Sequence, residues 1–228
     1  MLIYLVGLPA SGKSTLANQL SKQYNAPILS SDILRVEMYG NIDDQDHNNE
    51  VFTELNKRII ANIQSGNNVI YDATNISYKR RKAFVESLNK YECEKICYLV
   101  ATPYEDCLKY NSLRDRKVPE DVIKKMYLNF YIPQYYEGWD EIKIYWNFSK
   151  YDFTYEELKN SLKISQDNPH HTLNIYDHCV KCKDITKENT DSEILITAAL
   201  YHDIGKPFTK QFQNAKGEPT DIAHYYQH

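Results

Sequence analysis

The sequence has no apolar run of about 18 residues, the length that a membrane-spanning helix needs. Its apolar start, residues 1–6, is also too short for a signal peptide. We therefore expect a cytoplasmic protein with no membrane partner. Positive charge is not in excess, since 27 Lys and Arg residues stand against 31 Asp and Glu residues, giving a net charge of −4. The protein is no polycation, so any contact with nucleic acid must be local.

Two local basic clusters are present. The first, Lys-Arg-Arg-Lys at residues 79–82, is interpreted as the solvated face of a helix. The second comprises Arg114, Arg116 and Lys117, which lie between two predicted helices.

Cysteine is sparse, and the spacing of the cysteines shows no pattern of disulfide pairs. Five cysteines are an odd number, so free thiols are expected. Cys179 and Cys182 form a single Cys-x-x-Cys within a helical pattern, and no second pair completes a zinc site. We interpret this spacing as chance.

Apolar strands alternate with helical patterns up to about residue 147. The predicted strands are 2–6, 27–30, 69–71, 95–100 and 142–146. The predicted helices are 13–24, 47–64, 78–90, 103–114 and 119–130. The alternation predicts an α/β fold of three layers, with a parallel sheet between helices. Ligands of such sheets bind at the edge formed by the carboxyl ends of the strands.

The pattern changes after residue 147. The polar stretch 148–165 is predicted to be a linker between a first domain, 1–147, and a second, 166–228. Residues 171–188 and 191–203 have helical spacing with no strand between them. The second domain is therefore predicted to be a small all-α segment.

Residues 7–15, Gly-Leu-Pro-Ala-Ser-Gly-Lys-Ser-Thr, match a P-loop between a strand and a helix. Backbone N–H groups of such a loop and the helix N-terminus bind phosphate oxygens. Lys13 would span the β- and γ-phosphates, Ser14 would ligate Mg²⁺, and Thr15 would reach the α-phosphate. The sequence thus predicts ATP and Mg²⁺ as cofactors and the P-loop kinase form of the three-layer fold. The predicted nucleotide-binding residues in this loop are Gly7, Ala10, Ser11, Gly12, Lys13, Ser14 and Thr15.

Asp32 follows the second predicted strand and so belongs to the ligand-bearing edge. A carboxylate there can accept a proton from an attacking hydroxyl group. Arg35 lies one helical turn further on and would hold a phosphate of the acceptor. The alternative is that Asp32 caps a helix and Arg35 lies on the surface. We favour the catalytic interpretation because the position follows a strand of a P-loop sheet.

Asp72 ends the third predicted strand. It would act as a Walker-B-like group near Mg²⁺ or orient the active site, and a turn cap is an equal alternative. Residues 111–119 join two helices as a predicted lid. Arg114 and Arg116 are its candidates for stabilising the transferring phosphoryl group, an effect worth about 10³–10⁵ in rate. We expect at least one of these two arginines to stabilise the transferring phosphoryl group.

The motifs GLPASGKST, SSDILR, YDATN, NSLRDRKVP, EDVIKKM and EGWDEI together resemble the kinase domain of polynucleotide 5′-hydroxyl kinases. The resemblance covers about residues 1–146. It implies ATP-dependent phosphorylation of the 5′-OH end of RNA or DNA. It also implies that Asp32 is the general base, that Arg35 contacts a phosphate of the acceptor, and that a lid arginine engages the donor. Related small-molecule kinases share much of this pattern, so a small-molecule or nucleoside kinase is the alternative.

A second constellation lies near the end of the sequence. The pair His202-Asp203 ends an apolar helical run, and such side chains suit a divalent metal that activates water. HDIGKP, with His178 upstream and HYYQH downstream, resembles the HD phosphohydrolase superfamily. His178, His202 and Asp203 match positions of metal ligands in that superfamily. The resemblance therefore implies that they bind a divalent transition-metal ion such as manganese, nickel, iron or zinc. A later ligand would be His228, or less favourably His224.

The late aspartate of that superfamily is absent, and the sequence stops at His228. We therefore expect a partial HD domain with weak or absent phosphohydrolase activity. A helical segment without metal is an equal alternative. A kinase joined to an HD module resembles bifunctional enzymes that heal nucleic-acid ends. A non-enzymatic nucleotide-binding module is a further alternative, and a homo-oligomer stays open.

Overall fold

The computed structural model describes residues 1–147, 155–214 and 218–225. The chain divides into two units, Met1–Lys150 and Tyr151–His228. The first unit contains a sheet of five parallel strands in the order β2-β3-β1-β4-β5. The strands are Leu2–Val6 (β1), Ile28–Ser30 (β2), Val69–Asp72 (β3), Lys95–Ala101 (β4) and Glu141–Trp146 (β5).

Alternate residues of β1 enter two different cores, because successive side chains of a strand point to opposite faces. Leu2, Tyr4 and Val6 pack into one core with apolar side chains of the helices that follow β2 and β3. Ile3 and Leu5 pack into the other core with Leu16, Ala17 and Leu20 of the first helix. The sheet therefore lies between two helical layers, which confirms the predicted three-layer α/β fold.

The helices of the first unit are Lys13–Tyr24 (α1), Ser31–Tyr39 (α2), Asn48–Gln64 (α3), Tyr78–Ser87 (α4), Tyr104–Ser112 (α5) and Glu120–Leu128 (α6). A 3-10 turn spans Tyr135–Glu137. Five of the six helices match predicted segments within a few residues at their ends. Helix α2 was not among the predicted helices, and the sequence suggested a helix there only in the alternative in which Asp32 is a helix cap. In the structure Ser30 is the N-cap, and its hydroxyl accepts a hydrogen bond from the backbone N–H of Asp32.

The prediction that residues 79–82 form a solvated face is wrong at Arg81. This side chain is fully buried, and its guanidinium donates to both carboxylate oxygens of Glu137 at 2.8 and 2.7 Å. It also donates to the carbonyl of Asn75 at 3.0 Å, while the indole of Trp139 donates to Glu137 at 3.0 Å. A buried ion pair of this kind persists only when its remaining hydrogen-bonding groups are satisfied. The network fixes the loop after β3.

The helices of the second unit are Tyr155–Ser161 (α7), Ile175–Asn189 (α8), Glu193–Tyr201 (α9) and Lys206–Thr209 (α10). Its helical character is confirmed, and α7 lies within the stretch that was predicted to be a linker. An antiparallel pair of strands, Lys210–Gln213 (β6) and Pro219–Tyr225 (β7), was not predicted. The second unit is therefore not purely α-helical.

Across the described ranges, the structure contains no helix with the length and apolar character that crossing a membrane requires.

Candidate active site at the carboxyl edge of the sheet

The P-loop runs from the end of β1 into the first turn of α1, as predicted. Gly12 has a φ of 92°, a left-handed conformation that favours glycine. A Cβ atom on Gly12 would also lie 2.6 Å from Nδ2 of Asn147. A Cβ atom on Gly7 would lie 2.7 Å from Oγ of Ser11. Glycine is therefore required at both positions for conformation, space or both.

Two polar side chains that the sequence analysis missed hold the P-loop in place. Oγ1 of Thr102 donates to the carbonyl of Ser11 at 2.7 Å, and Nδ2 of Asn147 donates to the same carbonyl at 2.8 Å. Thr102 and Asn147 directly follow β4 and β5. The sequence could have identified Thr102 and Asn147 by their position directly after parallel strands, because such residues meet at one edge of the sheet.

Lys13 is buried, and its ammonium donates to the carbonyl of Leu8 at 2.6 Å. Burial lowers the pKa of Lys13 from 10.5 to about 8, while the carboxylate of Asp72 opposes this shift. The guanidinium of Arg114 lowers the pKa of Lys13 further, and Asp32 raises it. Lys13, Arg114, Asp32 and Asp72 therefore act on one another electrostatically, which requires that they lie in the same region.

Ser14 and Asp72 are directly connected, because Oγ of Ser14 donates to Oδ2 of Asp72 at 2.9 Å. Burial raises the pKa of the Asp72 carboxyl, and the positive charge of Lys13 lowers it. A hydroxyl and a carboxylate beside a phosphate-binding loop form an all-oxygen set of the type that Mg²⁺ prefers. The residues present therefore fit the predicted magnesium ion. Thr15 lies exposed in the same first turn of α1.

Asp32 lies between two arginines. Nη1 of Arg35 donates to one oxygen of Asp32 at 3.1 Å, and Nη1 of Arg116 donates to the other at 3.1 Å. The side chain of Asp32 is 46% exposed, so an incoming hydroxyl group can reach it. Arg35 is buried and also donates to Oδ1 of Asn48 at 2.5 Å. Its Nε is buried and has no hydrogen-bond partner within the described ranges.

The structure separates the two lid arginines that the sequence left as equal candidates. Arg116 reaches across to α2 and the segment after it, where it contacts Asp32, Asp43 and the carbonyl of Ile42. Arg114 is exposed, and its electrostatic effect falls on Lys13 of the P-loop. Arg116 therefore contacts the predicted base directly, whereas Arg114 acts on Lys13 only through its charge.

A cavity of about 490 Å³ lies between α3 and α4, above the ends of β1 and β3. Phe52 and Arg80 line it together with asparagine side chains, one of which is Asn49. Asn49 neighbours Asn48, the partner of Arg35. Asn48 and Asn49 are consecutive residues of α3, so this helix contributes side chains both to the cavity and to the surroundings of Arg35.

In the second unit, the predicted metal ligands from α8 and the end of α9 come together. Nε2 of His178 lies 3.3 Å from Nε2 of His202, and these atoms lie 3.6 and 3.4 Å from Oδ2 of Asp203. Burial lowers the pKa of His178, which favours the neutral imidazole that a metal needs. His224 lies in β7, whereas His228 lies outside the described residues.

Fold and site together define a P-loop kinase-like phosphotransferase. Residues 2–133, more than half of the chain, match the family model described as an AAA domain, and the chain belongs to this family. Residues 170–226 match the model of the HD domain, so the second unit contains an HD domain.

Several known proteins are similar to the chain. L-seryl-tRNA(Sec) kinase from Methanococcus maripaludis is 26% identical over 249 residues, covering 97% of this chain and 94% of the relative. A chain of the Pnkp1/Rnl/Hen1 RNA repair complex is 23% identical, with a TM-score of 0.50, and covers 56% of this chain and 43% of that chain. Kti12 from Chaetomium thermophilum, in complex with ADP-AlF3, is 16% identical with a TM-score of 0.54, covering 69% of this chain and 93% of that chain. At these identities the two structures show a shared fold.

Proposed function

We propose that the chain is an ATP-dependent kinase whose acceptor is a hydroxyl group of a nucleic acid, namely the 5′-OH end of RNA or DNA. The observation that carries the proposal is the position of Asp32, an accessible carboxylate held by two arginines beside the P-loop. A nucleic-acid end brings both a hydroxyl group and phosphates. The site offers a base for the first and guanidinium groups for the second.

Each side chain has a role in this proposal. Asp32 accepts the proton of the attacking hydroxyl group. Arg35 binds a phosphate of the acceptor next to Asp32, whose carboxylate its Nη1 contacts at 3.1 Å. Arg114 and Lys13 act on the donor phosphates, while Arg116 stabilises the charge that develops between donor and acceptor. Ser14 and Asp72 would hold Mg²⁺, which would supply neutralisation of the phosphate charge.

The lining of the cavity between α3 and α4 supports an acceptor that carries a nucleobase. Its volume of about 490 Å³ is within the range of small-molecule sites, about 300–1,000 Å³. Phe52 supplies an aromatic ring and Arg80 a guanidinium group, and Arg80 lies 5.7 Å from the centroid of Phe52. Aromatic and guanidinium planes are the groups on which proteins stack unpaired bases. We assign the terminal base of the acceptor to this cavity.

A second candidate acceptor is a seryl group carried by tRNA. It is favoured by the similarity to L-seryl-tRNA(Sec) kinase, which extends over 97% of this chain. Both candidates present a hydroxyl group attached to RNA, so the same base and the same arginines serve either reaction.

The test is transfer of label from γ-labelled ATP to matched acceptors. These are a 5′-OH RNA oligonucleotide, the DNA oligonucleotide of the same sequence, the RNA with a 5′-phosphate, and seryl-tRNA. We expect label on the 5′-OH ends and none on the 5′-phosphorylated control. A parallel preparation of the Lys13→Met variant reports any contaminating kinase.

Two results would contradict the proposal. Label on seryl-tRNA alone would select the second candidate. Label on neither RNA nor DNA, together with ATP consumption in a screen of metabolites, would identify a small-molecule kinase.

Nucleotide affinity should depend on pH through Lys13. Its pKa in the free protein is about 8, and phosphate binds the protonated form. Bound phosphate stabilises the ammonium, so the pKa rises in the complex. The Kd for a non-hydrolysable ATP analogue should therefore increase about tenfold per pH unit above pH 8. Titrations at pH 7, 8, 9 and 10 test this. The Lys13→Arg variant, whose side chain stays charged, should show a flat profile, and a flat profile in the wild-type protein would contradict the assignment.

A further inference from the structure

Four exposed tyrosines lie within the ten residues 127–136, which run from the end of α6 into the 3-10 turn. Tyr127, Tyr131, Tyr135 and Tyr136 expose 45%, 57%, 63% and 70% of their surfaces. Single apolar side chains on a protein surface are ordinary, whereas a group of exposed rings is typical of a binding surface. One face of the Tyr127 ring is already covered, because this ring stacks on Tyr104 at a centroid distance of 4.7 Å.

The backbone that carries the other three rings is held in place from behind. The N–H group of Tyr131 donates to the carbonyl of Ile76 at 3.2 Å, which attaches the segment to the loop after β3. Gln134 and Glu137 form a capping box around the 3-10 turn, and the buried Arg81 binds both oxygens of Glu137. The rings are therefore presented by a fixed backbone, which lowers the entropy lost when a partner binds.

Helix α4 extends this group of rings and adds positive charge. The ring centroids of Tyr136 and Tyr78 lie 5.8 Å apart in an edge-on contact. Lys79 and Arg80 follow Tyr78 directly, and both are exposed. Neither of them forms an ion pair within the described ranges. We call the whole group the tyrosine surface, and its members are Tyr78, Lys79, Arg80, Tyr131, Tyr135 and Tyr136.

The positive charge of the tyrosine surface is not balanced by the segments that form it. Neither residues 73–85 nor residues 127–136 contain an aspartate or a glutamate. Glu137, which follows directly, is buried and paired with Arg81. Proteins bind single-stranded nucleic acid with this combination, because bases stack on aromatic rings and cations contact the phosphates. With a net charge of −4 for the chain, such a contact must be local, and this surface meets that condition.

The tyrosine surface adjoins the cavity between α3 and α4. Ile76 and Arg80 line this cavity, and Ile76 is also the residue to which the backbone of Tyr131 is bonded. Thr74 lines the cavity as well, and its carbonyl accepts a hydrogen bond from the N–H group of Gly7 in the P-loop at 3.1 Å. Residues that line the cavity therefore contact both the P-loop and the backbone of the tyrosine surface.

We propose that the tyrosine surface binds the single strand that follows the terminal nucleotide of the acceptor. This inference rests on the proposed function, in which the terminal base occupies the cavity. Bases of the next nucleotides stack on Tyr131, Tyr135 and Tyr136, and Lys79 contacts a phosphate. Because stacking accepts any base, the surface selects acceptors by the length of the strand and by its being unpaired, and not by its sequence.

The test measures binding in the absence of ATP, so it does not require phosphoryl transfer. Fluorescence anisotropy with the full chain gives the Kd for a 3′-labelled single-stranded RNA of about 12 nucleotides with a 5′-OH end. A dinucleotide, used as a competitor, and the blunt duplex of the same RNA are compared with it. We expect the long single strand to bind at least about tenfold more tightly than either, because each stacked base contributes about fivefold or more.

Replacing single rings tests the assignment of residues. Tyr131→Ala and Tyr136→Ala should each raise the Kd of the long strand about fivefold or more and leave that of the dinucleotide unchanged. Tyr136→Phe keeps the ring and should bind as the wild type does. Tyr127→Ala is the matched control, since its ring is stacked within the protein, and its Kd should stay within about twofold of wild type. All these side chains are exposed, so the midpoint of thermal unfolding should not change.

The phosphate contact has its own measurement. In the Lys79→Gln variant, the slope of log Kd against log salt concentration should become shallower by about 0.7, the value for one phosphate contact of a single strand. Lys22→Gln is the control, because Lys22 is an exposed lysine in the last turn of α1, at the other end of that helix from the P-loop. Its slope should equal that of the wild type.

Three results would overturn the proposal: equal affinity for the long strand and the dinucleotide, equal affinity for the single strand and the duplex, or a Kd that Tyr131→Ala and Tyr136→Ala leave unchanged. The first of them would leave the surface to a protein partner. Failure of the proposed function gives a different pattern. The tyrosine variants would then still weaken binding of the single strand, while no 5′-OH end would receive label from ATP.

Discussion

Replacing Asp32 with asparagine is expected to reduce kcat by about 10²–10⁴ while leaving the affinity for ATP unchanged. Asparagine keeps the size and shape of the side chain, but its single amide oxygen can accept from only one of Arg35 and Arg116, and it cannot take the proton of the acceptor. Nucleotide binding rests on different groups, the P-loop backbone, Lys13 and Ser14. The measurements are kcat with the labelled acceptor and the Kd of a non-hydrolysable ATP analogue.

Asp43 provides a matched control, because its carboxylate accepts a hydrogen bond from Nε of Arg116 at 2.7 Å. The Asp43→Asn variant weakens one partner of Arg116 without touching the proposed base, and it should keep kcat within a few-fold of wild type. If Asp32→Asn also stays within about tenfold, Asp32 positions Arg35 and Arg116 without accepting the proton.

The arrangement of strands could be predicted because its determinants are local. β1 is a continuous apolar run, and the P-loop motif directly after it marks the carboxyl end of this strand. Asp32 and Asp72 could be predicted by the same logic, since each lies at the carboxyl end of a strand, and Ser30 pairs in register with Asp72. The roles of the lid arginines could not be separated from sequence, because Arg114 and Arg116 are two residues apart. Their different surroundings arise from contacts made across the fold.

Other features depend on partners that are distant in the sequence. Arg81 looks like one of four exposed basic residues until Glu137, 56 residues away, is placed beside it. The strands β6 and β7 escaped detection because β6 is largely polar and only four residues long. In each case tertiary contacts, and not local pattern, determine the environment.

The second large effect is expected for stability, at the buried pair formed by Arg81 and Glu137. Both side chains are fully buried, with a relative exposure of 0%. The Glu137→Ala variant leaves the guanidinium of Arg81 without its counter-charge and Trp139 without its acceptor. Breaking a buried pair in this way costs about 3–5 kcal/mol, a large share of the roughly 5–15 kcal/mol that stabilises a typical domain. We therefore expect a large fall in the denaturant midpoint of the first unit.

The neighbouring residue on α4 supplies the control. Lys82 and Glu86 form a partly exposed pair at 3.8 Å, so Glu86→Ala should cost no more than about 0.5 kcal/mol. The double variant Arg81→Met/Glu137→Leu removes both charges together and should recover most of the lost stability, because the main cost is the unpaired charge and not the lost attraction. A double variant as unstable as Glu137→Ala would instead show that the pair itself holds the fold together. Because Arg81 also binds the carbonyl of Asn75, any loss of kinase activity in the rescued variant would measure how far this network positions the loop after Asp72.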